Sequence, residues 1–182
     1  MTLCRLFTLE GPLCAVEDAG ARTTTMCSKC DRGKREQTGD LSVALVCENR
    51  KIWLSDVNAI LLAESISENL AGRASVKLSP IRARWEEGIP GSGAAVPKLM
   101  QLRASLEMHA APRSVERENC TCGSVKSVSF NPLVVRRPQG PEADAIVWRL
   151  AESPDALILS EEIREYLEAA DQDLEFSEVF YE

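Results

Sequence analysis

The chain has 182 residues, 45% of them apolar and 27% charged, which is the composition of one globular domain and not of a disordered segment. Acidic residues outnumber basic ones 28 to 21, with a single histidine, and the net charge of −7 disfavours the basic footprint that nucleic-acid phosphates require. No apolar run approaches membrane-spanning length, and Leu3, Leu6 and Leu9 are interleaved with Arg5 and Glu10, so the expectation is a cytoplasmic protein without an export signal.

In chain order, Met1 to Leu9 alternates loosely and predicts an opening strand, ended by the turn pair Gly11-Pro12. Arg32 to Asp40 is polar and reads as a loop; Leu41 to Cys47 reads as a short buried strand, and Ile52-Trp53-Leu54 follows. The segment Ala59 to Leu70 aligns without a gap onto Ala156 to Leu167 at an offset of 97. Six positions are identical: Ala59/Ala156, Leu62/Leu159, Glu64/Glu161, Ile66/Ile163, Glu68/Glu165 and Leu70/Leu167. With one extra residue in the second copy, Val76, Leu78 and Ile81 match Leu174, Phe176 and Val179. Each copy predicts a strand, a helix and a strand, with Ser160 placed to cap the second helix and acidic residues in its first turn, where the dipole favours them.

A tryptophan precedes each copy, Trp53 and Trp148, and a cysteine pair precedes each tryptophan. This order predicts an internal duplication. The expected architecture is a single α+β domain over 1–182, with mixed sheets and few helices, made of two related halves (about 1–81 and 98–182) around a glycine-rich connector at 86–97. Val76 to Trp85 and Leu99 to His109 each read as one strand, and Ala110 to Asn119 as a polar lead into the second cysteine pair.

Seven cysteines without an export signal point to reduced thiols or metal ligands rather than disulfides. Cys27 and Cys30 form one pair and Cys120 and Cys122 the other, with 89 residues between them. Two close pairs of soft thiolates are what a tetrahedral zinc ion takes, each pair spanning one edge, so these four are the candidate ligands of a structural zinc that staples the two halves. The alternatives are four buried thiols without metal, or a redox-active Cys27 and Cys30; a reactive Cys-x-x-Cys opens a helix, whereas Arg32-Gly33-Lys34 reads as a loop. Cys4, Cys14 and Cys47 read as small buried hydrophobes. His109 stands outside any Gly-x-Ser-x-Gly elbow or His-Glu-x-x-His helix, and no catalytic residue is assigned.

From Glu161 to Glu182 the chain carries nine acidic residues against Arg164 alone. This segment is either a solvated face or a docking surface for a basic protein, with Glu161, Glu162, Glu165, Glu168, Asp171, Asp173, Glu175 and Glu178 as its candidate contacts.

With its two cysteine pairs and its strand-helix-strand segments, the chain resembles the double-CxxCG motif family of immunity proteins against contact-delivered polymorphic toxins. It departs from the motif in having Asp31 for the first glycine and Cys-x-Cys for the second Cys-x-x-Cys. The resemblance implies a non-enzymatic protein that binds and blocks a cognate toxin in the cytosol, such toxins often being nucleases with basic clefts. A zinc-ribbon-like adaptor or nucleic-acid module, for which Arg32 to Arg35 and Arg82 to Arg84 are the basic candidates, and a thiol redox protein are the other function classes.

Overall fold

A computed structural model describes residues 2–7, 13–17, 20–23, 29, 35–47, 50–88, 95–119 and 125–182. The protein is mostly β-sheet with two short α-helices. The strands are β1 (Leu3–Phe7), β2 (Cys14–Val16), β3 (Ala21–Thr23), β4 (Arg35–Gln37), β5 (Ser42–Leu45), β6 (Ile52–Leu54), β7 (Ile60–Ala63), β8 (Val76–Trp85), β9 (Leu99–Ala104), β10 (Leu106–Met108), β11 (Val115–Asn119), β12 (Val125–Phe130), β13 (Val134–Val135), β14 (Val147–Leu150), β15 (Ser153–Ser160) and β16 (Glu175–Tyr181). Helix α1 (Glu64–Ser67) follows β7 and α2 (Glu161–Ala170) follows β15.

Two six-stranded sheets carry the fold, in the orders β2-β5-β8-β9-β7-β6 and β10-β14-β15-β1-β16-β13. In each, a single bridge joins the two edges. Cys14 of β2 pairs in parallel with Ser55, just past β6, while Ala110, just past β10, pairs antiparallel with Val135 of β13. Each sheet therefore curls into a small barrel, which leaves no long edge open to another chain. The chain crosses between them at both starts: β1 lies between β15 and β16 in the second barrel, and β9 lies between β7 and β8 in the first. The run expected as one strand from Leu99 to His109 is thus two, β9 and β10, in different sheets, split at Ser105, whose amide bonds to the Ser75 carbonyl at 3.0 Å.

Both barrels follow one pairing plan, down to the register. Leu99 pairs with Ala63 and Ile81; Leu3 pairs with Ser160 and Val179. Trp53 faces Leu61 as Trp148 faces Ile158. Val43 runs parallel beside Ala83 and Val135 beside Tyr181. Val16 meets Val43 as Ala110 meets Val135, and Cys14 meets Ser55 as Met108 meets Leu150.

Burial follows the same plan. One core fills the first barrel around Trp53, Leu61, Val43 and Leu99, and a second fills the other around Trp148, Ile158, Val135 and Leu3. The opposite faces of the same strands, with Ile66 and Leu70 from the α1 region and Ile163 and Leu167 from α2, make a third core between the barrels. The alternation of strand side chains explains this: Leu3 points into the barrel, and Cys4, next to it, points into the shared core. On that seam Asn69 Nδ2 donates to the Tyr166 hydroxyl at 3.1 Å, and that hydroxyl donates to the Ile66 carbonyl at 2.8 Å.

Candidate functional site

Between the barrel strands β2 and β5 the chain makes the hairpin β3-β4; between β10 and β13 it makes the hairpin β11-β12. Their stems match in register, with Ala21 opposite Gln37 and Thr23 opposite Arg35 in one, Val115 opposite Phe130 and Arg117 opposite Val128 in the other. The backbone enters the first hairpin at Gly20, where an added Cβ would come within 2.2 Å of the Asp40 carbonyl oxygen, so the close approach requires glycine. Two expectations are corrected here. The supposed loop Arg32 to Asp40 contains β4, and the polar lead Ala110 to Asn119 contains β11. From Glu116 to Asn119 every residue of β11 is exposed, so burial imposes no apolar alternation from which the strand could be read.

Cys27 and Cys30 fall in sequence between β3 and β4, and Cys120 and Cys122 between β11 and β12; all four lie outside the described residues. Among the described residues no group of three or more His, Cys, Asp or Glu side chains forms a metal site. Cys4 and Cys14 are buried, and burial pushes each thiol up to about 12, which keeps both protonated and poorly nucleophilic. Cys47, expected to be buried with them, is only partly so.

The acidic C-terminal segment divides into paired and unpaired carboxylates. Arg164 is flanked along α2 by Glu161 at 3.8 Å and Glu168 at 3.7 Å, and Glu162 pairs with Arg73 across to the first half. Asp171 differs from the rest. Its side chain is 8% exposed and binds Arg50 at 3.0 Å, with Asp173 completing the cluster at 3.2 Å. Asp171 is therefore engaged by Arg50 within the protein. Glu165, Glu175 and Glu178 make no ion pair among the described residues. Exposed pairs such as Arg73 with Glu162 contribute roughly 0–1 kcal/mol, so a cationic partner can displace them at small cost.

Of the basic candidates, Arg84 is engaged by Glu17, whose carboxyl is held below its ordinary value by hydrogen bonds from Ser42 and Arg84. His109 is exposed, with Nδ1 3.6 Å from Glu152 and Nε2 3.9 Å from Glu107. No helix among the described residues is long and apolar enough to cross a membrane. In comparisons with protein families, curated proteins and solved structures, no family model, no curated protein and no solved structure matches the chain.

Proposed function

We propose that this chain is a non-enzymatic immunity protein, built from two copies of one barrel unit that exchange their first strands, which binds a cognate toxin protein in the cytosol. The observation that carries the reading is the pair of hairpins. They branch from corresponding places in two barrels of the same register, and each spans one of the two cysteine pairs in sequence. A duplicated unit that keeps a cysteine pair at one place in each copy is the pattern behind the family resemblance. It also suits a zinc ion bound by Cys27, Cys30, Cys120 and Cys122, two ligands from each copy, serving as a closed structural site. The carboxylates of α2 and β16, of which Glu165, Glu175 and Glu178 make no ion pair among the described residues, supply the charge to steer a basic toxin.

Co-expression of the chain with the product of the gene beside its own tests this reading. The expected result is survival of cells that the neighbour alone kills, a stable complex on co-purification, and zinc close to one per chain. A harmless neighbour that does not co-purify contradicts the immunity reading, whatever the metal content.

A further inference from the structure

The two barrels differ at one end. In the first, Gln101 of β9, 5% exposed, and Gln37 of β4 hydrogen-bond to each other in both directions, at 3.0 and 2.6 Å. Gln101 lies opposite Ser79 in β8, and its counterpart in the second barrel is Arg5 of β1, opposite Ser177 in β16. The counterpart of Gln37, paired with Ala21, is Phe130, paired with Val115. The second mouth therefore holds a cation in place of a self-satisfied amide pair, facing a phenyl ring that accepts no strong hydrogen bond.

The space beside Gln37 and Gln101 measures about 160 Å³, whereas the cleft at Arg5 measures about 610 Å³. Around Arg5 that cleft is lined by the polar side chains of Asn58, Ser129, Asn131, Ser153 and Ser177, by Phe130, and at its rim by the exposed carboxylate Glu178, which an entering anion must pass. Arg5 is partly buried, and among the described residues nothing pairs with its guanidinium. Burial of the guanidinium lowers its pKa. A desolvated cation is costly unless its hydrogen bonds are completed, and an anion from solution would complete them here. Mouths of small barrels are also common ligand sites.

We propose that the mouth of the second barrel is an oxyanion-binding site, in which the Arg5 guanidinium grips two oxygens of a carboxylate or phosphate group and the surrounding serine and asparagine side chains complete its hydrogen bonds. A fork of two parallel N–H donors suits either group. This site does not depend on the immunity reading.

The test is an NMR titration of the whole chain with sodium acetate and, separately, with inorganic phosphate at constant ionic strength, followed at the backbone amides of Ser129, Ser153 and Ser177. A saturable shift with either anion is expected; whichever saturates at lower concentration identifies the group. Arg5→Gln, which gives the second barrel the residue that the first carries as Gln101, should weaken binding at least tenfold. Arg5→Lys keeps the charge without the fork and should weaken it severalfold, so the proposal stays testable if Arg5→Gln fails to fold. Linear, unsaturable shifts with both anions, or variants that bind like the wild type, would overturn it.

Discussion

Ser75 adopts φ +67, a left-handed conformation that costs a residue with a Cβ some energy, and its side chain accounts for keeping it there. Its Oγ accepts hydrogen bonds from the amides of Ile146 and Val147, both at 3.1 Å, fastening the turn before β8 to the strand that carries Trp148. Ser75→Ala leaves two part-buried donors without an acceptor, and the expected loss is about 1–3 kcal/mol in urea unfolding. Ser75→Gly relieves the backbone but loses the same bonds, so it should fall between wild type and Ser75→Ala. Nothing in the sequence singles out Ser75, because both partners lie some seventy residues away. The pairing of Arg50 with Asp171 was hidden in the same manner: a carboxylate in an acidic run looks like its neighbours until a distant guanidinium is folded onto it.

Among the elements, those with an apolar face were legible. The apolar runs at β7 and β15 fall where their buried side chains put them, and the long β8 where its alternation of half-buried and exposed side chains does. The hairpin strands β4 and β11 were not, because they project from the barrels and β11 is exposed along nearly its whole length. The two helices show how a single position changes an element. Ser160 Oγ accepts from the Ile163 amide at 3.5 Å, and α2 runs ten residues; its aligned counterpart Ala63 offers no side-chain cap, and α1 runs four before tightening into a 3-10 turn over Glu68–Leu70. Removing the cap by Ser160→Ala should cost about 1 kcal/mol, seen as a lower thermal midpoint with the helix still formed, since Ile163 and Leu167 remain anchored in the shared core. An unchanged midpoint would mean that the packing of Ile163 and Leu167, and not the cap, sets the start of α2.

For the whole molecule, the aligned segments predict two related halves but not which strand joins which barrel. Local periodicity states that β1 and β9 are strands; their pairing partners are a matter of topology, and nothing in a five-residue run specifies a partner at the far end of the chain. The repeat reading and the staple reading both lean on this exchange, because it ties each half to the other through a central strand and relates the two hairpins. Cys4 of β1 is the Cα partner of Glu178 in β16, close enough in an antiparallel pair for a disulfide after one substitution. Because the buried Cys4 thiol is unreactive once folded, the decisive measurement is oxidative refolding of a Glu178→Cys chain carrying a protease site in the 89–94 connector, followed by cleavage and a non-reducing gel. Exchange predicts that the two fragments migrate as one species that separates on reduction, and that Cys4→Ser abolishes the link. Two separate fragments after oxidation would place β1 outside the second barrel and contradict the two-copy account.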